Sequence, residues 1–186
     1  MSYILPTNEI SYAAQAQLRM QAQDQGMARA VQMRVASSTS GLAVRDPDYP
    51  IDFVPAATRA GLSGWLTMPL AAAGNLYSVF ADNVPAALTP QVPNNAVWVF
   101  YKATILTVGD PVSELYFLIG QAGNRKAQFN LEILQDKLEV DGYFSEPIVY
   151  DPQDIVTVQV RARVINPAAR VVLGAFIIEP LQVSVV

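Results

Sequence analysis

An all-β fold is what this sequence predicts: an antiparallel β-sandwich carried behind a partly helical N-terminal arm. Three observations predict it. From residue 62 onward, β-branched and aromatic runs alternate with turn residues at short spacing, and no helical period intervenes. Residues 155–165 alternate strictly, with Val156, Val158, Val160, Ala162 and Val164 on one face and Thr157, Gln159, Arg161 and Arg163 on the other. Residues 8–36 differ in kind, being rich in the good helix formers Ala, Gln, Met and Arg. With 186 residues, 52% of them hydrophobic and 15% charged, the chain has enough apolar mass for a core and is not a disordered polymer.

Residues 1–36 are read as the arm. Thr7 or Asn8 is placed to cap its helix, and Glu9 suits the positive end. Leu18, Met27, Val31 and Val35 are only roughly in helical phase, and Gly26 interrupts them. A helix with so thin an apolar stripe is expected to fray alone and to be ordered by a partner, the alternative being a floppy tail. Residues 37–61 are read as an extended linker without regular structure, from the polar run at 37–41 and from Pro47, Pro50 and Pro55.

Residues 62–186 are read as the sandwich domain. Short strands are expected at 65–70 and 76–80, then a proline-rich loop over 81–95. Stronger strands follow at 97–108, 115–119, 126–134, 138–140, 143–150 and 155–165. The turns between them are read at Gly109-Asp110-Pro111, Gln121 to Asn124, Asp136-Lys137 and the hairpin signal Asp141-Gly142. Asn166-Pro167 turns the chain into 171–178, apolar on both faces as a central or covered strand is, and 181–186 is a last short strand. About eight strands suit a jelly roll, two four-stranded sheets face to face. Adjacent aromatics such as Phe100–Tyr101 and Tyr116–Phe117 point to opposite faces, so one of each pair is expected on an outer face or under another chain.

The chemistry-bearing residues are few. The chain has no cysteine and no histidine, which removes thiolate nucleophiles, Ser-His-Asp triads and the usual zinc ligands. Ser63, in Gly61-Leu62-Ser63-Gly64, has no histidine to activate it. Asp46, Asp48 and Asp52 are spaced like calcium ligands but interrupted by prolines, and read as a turn. Carboxylate pairs for glycoside hydrolysis would draw on Glu9, Glu114, Glu132, Glu139, Glu146 and Glu179, none set in an aromatic cleft. The chain is therefore read as non-enzymatic, with no cofactor and no metal.

Twelve basic residues stand against sixteen acidic, a net charge of −4. A nucleic-acid binder should be basic, so none is expected as partner. The balance is uneven: residues 1–45 are at +2 through Arg19, Arg29, Arg34 and Arg45, and the remainder is at −6. These four arginines, with Leu18, Met27 and Val31, are the candidate partner-binding residues, since a planar guanidinium grips carboxylates bidentately. No run approaches the roughly 18 apolar residues of a membrane span, and residues 1–6 lack a signal peptide's basic region; no membrane is expected, and synthesis in a host cytoplasm is.

A mildly basic arm, a proline-rich linker and an acidic sandwich with apolar faces together resemble the jelly-roll cement or decoration proteins of tailed-bacteriophage capsids. The run SEPIVYDPQDIVTV from Ser145 to Val158 is similar to the turn-then-strand segments of viral jelly rolls, as is GAFIIEP from Gly174 to Pro180. The resemblance covers residues 60–186 as architecture. It implies a place on the capsid surface of a virion, contact with the major capsid protein across subunit seams, and a homo-oligomer, dimer or trimer. Residues 1–55 would then be the docking arm. The alternative is a carbohydrate- or receptor-binding sandwich of a tail or fibre, which requires an exposed aromatic platform.

Overall fold

A computed structural model describes residues 3–48, 51–53, 67–80, 90–120 and 122–181. In chain order the N-terminal part supplies β1 (Ile4–Pro6), helix α1 (Tyr12–Gln32) and β2 (Leu42–Arg45). Then come β3 (Met68–Leu70), β4 (Leu76–Ser78), β5 (Val97–Ile105), β6 (Val112–Ile119) and β7 (Asn124–Asn130). A short helix α2 (Glu132–Asp136), β8 (Asp141–Tyr150), β9 (Val156–Ala162), β10 (Asn166–Ala169) and β11 (Val171–Pro180) complete it. A five-stranded sheet runs β1-β8-β5-β11-β2, a four-stranded sheet runs β4-β9-β6-β7, and β3 pairs with β10 in a ribbon. Every pairing is antiparallel. The all-β sandwich is the fold of the chain.

The strict alternation at 155–165 is β9, whose Val156, Val158, Val160 and Ala162 are buried. They join Phe100, Phe117, Phe129, Phe144 and Tyr150 in the core between the sheets. Ring contacts cross the gap: Phe100 of β5 lies 5.5 Å from Phe117 of β6, and Phe117 lies 5.5 Å from Phe144 of β8. One hydrogen bond also crosses it, from the Tyr150 hydroxyl of β8 to the Leu118 carbonyl of β6 at 3.0 Å. Burial pushes that phenol's pKa well up, so the hydroxyl stays a donor. Tyr150→Phe, which keeps the ring and removes the donor, is expected to lower stability by about 1–2 kcal/mol in urea denaturation.

The N-terminal helix departs from expectation. Its cap is Ser11, whose Oγ accepts from the Ala14 N–H at 3.2 Å, and not Thr7 or Asn8. Those two residues tie the chain to the start of β8 and the turn before it: Thr7 Oγ1 donates to the Asp141 carbonyl and Asn8 Nδ2 to the Lys137 carbonyl. At its other end Arg34 takes φ 60°, and the Val35 and Arg34 amides return to the Ala30 and Val31 carbonyls, a Schellman stop. The helix does not need a partner protein to cover it. It lies on the outer face of the five-stranded sheet, where Ala22 and Ala30 are buried with Val97, Val99, Phe176 and Ile178. Its docking stripe is Ala22-Gly26-Ala30, spaced four apart. A Cβ at Gly26 would stand 2.5 Å from Val99 Cγ2 and nearer still to Ile178 Cδ1, so only glycine permits the approach. Small residues let the helix backbone itself pack; a search for large apolar residues passes them over.

Other boundaries shift for definite reasons. The expected linker contains β2, which pairs with β11 from Arg45↔Ile177 to Leu42↔Pro180. The strand expected over 126–134 ends at Asn130, whose Oδ1 accepts from the Glu132 amide and starts α2. Residues 138–140 are a turn, and Asp141-Gly142 lies within β8. Glycine is required there by the approach of β1, since a Cβ would fall 2.5 Å from Ile4 Cγ1. Asn166-Pro167 opens β10 instead of only turning the chain. Of the last expected strand, Leu181 lies past the end of β11 and 182–186 are outside the described residues.

Candidate functional site

Three of the four candidate arginines are held by acids of the same chain. Arg29 forks onto Asp151 in the turn after β8, Nε to Oδ1 at 2.6 Å and Nη2 to Oδ2 at 2.5 Å. Arg19 reaches both oxygens of Asp46 at 3.1 Å and stacks over the Phe176 ring. Arg45 bridges Asp52 at 2.6 Å and Glu179 at 3.1 Å. Arg34 is exposed and forms no ion pair among the described residues. Met27 and Val31 are partly buried against the cluster beneath α1, and Leu18 is half-buried on the same helix. Arg19, Arg29, Met27 and Val31 thus lie along the seam between α1 and the sandwich, whereas Arg45 sits at the β2–β11 pairing and Arg34 stands apart.

The Arg29 fork holds the Asp151 carboxyl below its usual range, through its hydrogen bond first and its charge second. A carboxyl whose pKa is lower folded than unfolded contributes fully above the unfolded value and loses that contribution as pH falls through the folded one. Asp151→Asn is therefore expected to cost about 1 kcal/mol near neutrality, since the pair is partly solvent-screened. The gap between native and variant should shrink below about pH 4. Urea midpoints measured between neutral and strongly acid pH check both statements.

The outward face of α1 is polar. Gln17, Met20, Gln21, Asp24 and Gln25 line a shallow hollow of about 330 Å³. Gln25, Ala28, Arg29 and Gln32, with Val149 of β8, line a second of about 510 Å³. Both are open troughs flanking the helix, and neither holds a convergent set of titratable groups.

The outer face of the four-stranded sheet carries an ordered polar network. Glu114 accepts from the Tyr116 hydroxyl at 2.5 Å, from Arg161 Nε at 2.5 Å and from Gln128 Nε2 at 2.8 Å. These hydrogen bonds, Tyr116 first, hold its carboxyl below the usual range. Arg125 and Arg161 lie over the Tyr116 ring at 5.4 and 5.7 Å, which leaves the ring 5% exposed. Tyr101 is covered too, stacked on Phe176 at 4.8 Å beside α1. The outward aromatics are therefore packed against this chain's own residues, Tyr116 fully and Tyr101 in part.

The candidate acids do not converge. Asp46 and Asp52 are taken by Arg19 and Arg45, Glu9 by Lys137 at 2.6 Å, and Glu179 by Arg45. Glu132 opens α2 and is not on a strand face. Among the described residues no group of three acids is placed to hold a metal ion, and no helix is long and apolar enough to cross a membrane. Ser63 and Trp65 lie outside the described residues. No protein-family model, no curated protein and no solved structure matches the chain.

Proposed function

We propose that the chain is a non-enzymatic structural protein of a virus particle, a jelly-roll cement or decoration protein that binds the major capsid protein across subunit seams. The observation that carries this reading is the strand order. Count β2, β4, β5, β6, β7, β8, β9 and β11 as first to eighth. The larger sheet then sets sixth, third, eighth and first side by side, and the smaller sets second, seventh, fourth and fifth. First pairs with eighth, second with seventh, third with sixth and fourth with fifth, the pairing expected of a long hairpin rolled up as in a jelly roll, which supports that reading. Capsid domains, lectins and cupins use that winding. A cupin site needs ligands inside the roll, and here the interior is filled by Phe53, Phe80, Phe100, Phe117 and Phe129. A lectin needs an open aromatic platform, and the strand aromatics described above are buried or covered. That leaves the architectural use best supported.

Particles of the virus that encodes the chain are the material for the test. Cryo-electron microscopy and mass spectrometry are expected to find it on the shell, at a copy number set by the shell's symmetry. Particles lacking it overturn the reading, and binding on a glycan array alongside such particles moves it to the carbohydrate module.

A further inference from the structure

One end of the sandwich gathers three connections: the β5–β6 loop, the turn between α2 and β8, and the turn between β9 and β10. Backbone hydrogen bonds fix them side by side. The Ile105 amide donates to the Val140 carbonyl at 2.8 Å, Leu106 to Arg170 at 3.0 Å and Arg163 to Pro111 at 2.8 Å. Together they show solvent Leu106, Val108, Leu138, Val140, Val164 and Ile165. Val108 is 95% exposed, Leu138 96% and Ile165 70%.

Leu138 is the telling residue. Its φ is 54°, in the left-handed region that costs a side-chain-bearing residue about 1–2 kcal/mol. It buries nothing in return, so the monomer's own stability is better served there by glycine or asparagine. A branched aliphatic held out at such a tip points to a contact outside the monomer. Six exposed aliphatic side chains on adjoining loops make the kind of apolar patch that marks a contact surface.

The chemistry of the patch selects its occupant. A bilayer favours aromatic tips and a cationic rim. Here all six are aliphatic, and the chain carries a net charge of −4. The rim holds both signs, Asp110 and Asp136 with Arg170, none in an ion pair among the described residues. An aliphatic centre with a mixed-sign rim complements itself, as a two-fold contact requires. We propose that this loop end is the contact through which two copies of the chain associate. The inference stands whether or not the chain belongs to a virus particle.

Sedimentation velocity over a concentration series tests it. The native chain is expected to dimerise. Val108→Asp and Leu138→Asp are each expected to weaken the dimer at least about tenfold, and together to leave monomer throughout. Both sites are fully solvated, and aspartate tolerates the Leu138 backbone better than leucine, so both variants fold; unchanged circular dichroism and urea midpoints verify this. Leu138→Asn is the second variant, expected to weaken the dimer without adding charge. Met20→Asp, on the outward face of α1, is expected to leave it intact. A native chain that stays monomeric, or a dimer that survives the double substitution, overturns the proposal. So does flotation of a monomeric native chain with phosphatidylcholine vesicles that the same substitutions abolish.

Discussion

Phe100→Ala is expected to remove about 3–5 kcal/mol of stability, the full range for deleting a buried phenylalanine. Phe100 has no solvent exposure, and its ring stands at the crossing point of the core. It meets Phe53 at 5.3 Å, Phe117 at 5.5 Å and Tyr150 edge-on at 5.9 Å. Phe53 precedes β3, Phe117 is in the smaller sheet and Tyr150 in the larger, so one deletion loosens three parts of the fold at once. The cavity cannot close by collapse, because the rings around it are held by strands on both sides. Phe100→Leu, which returns most of the volume, is expected to cost less than half as much. Urea denaturation of both variants checks this: the midpoint should fall and the slope should stay. Equal losses for alanine and leucine would mean that ring–ring contacts, not volume, carry the effect.

Gly26→Leu is expected to cost about 3 kcal/mol or more by lifting α1 off the larger sheet. Leucine is the better helix former by roughly 0.8 kcal/mol, so the sign of the result separates propensity from packing. The space a side chain needs is already filled by Ile178 and Val99. The helix must move away, and Phe176, Ile178, Val97 and Val99 lose their cover. Hydrogen exchange reads this directly: protection in α1 should fall while β6, β7 and β9, which the helix does not touch, keep theirs. A stabilised Gly26→Leu variant would mean that the helix sits farther from the sheet than Gly26 implies.

The strands were legible where burial is one-sided or complete. β9 alternates because one face is core, and β11 is apolar on both because α1 covers Phe176 and Ile178 while Leu173, Ala175 and Ile177 face inward. The docking of α1 was not legible, since Ala22, Gly26 and Ala30 carry almost no hydrophobic signal; their meaning is in closeness, which only the opposite surface reveals. Glycine misled twice in the same way: at Gly26 it read as an interruption and at Gly142 as a turn, and both are close approaches. The acids that hold three of the candidate arginines were not legible: Asp151 is 122 positions from Arg29 and Glu179 134 from Arg45, and even the nearer Asp46 and Asp52 read only as a turn. The loop end was invisible, because Val108, Leu138 and Ile165 belong to three separate segments that the strand pairing brings together.

The N-terminal segment braces the larger sheet from edge to edge, with β1 and β2 as its two outermost strands and α1 lying across the face between them. Its ties reach far along the chain: Tyr3 to Ser145 over 142 positions, Arg29 to Asp151 over 122 and Arg45 to Glu179 over 134. On the ribosome these residues are synthesised long before their counterparts. At typical elongation of about 5–20 residues per second they wait roughly 7–30 s. Until β11 has emerged, β1, β8 and β5 can pair, but β2 has no neighbour and the face that α1 covers lacks Phe176 and Ile178. Closure of the larger sheet is thus a late event, and a ribosome stalled shortly before β11 would present β1, β8 and β5 without the strand that joins them to β2.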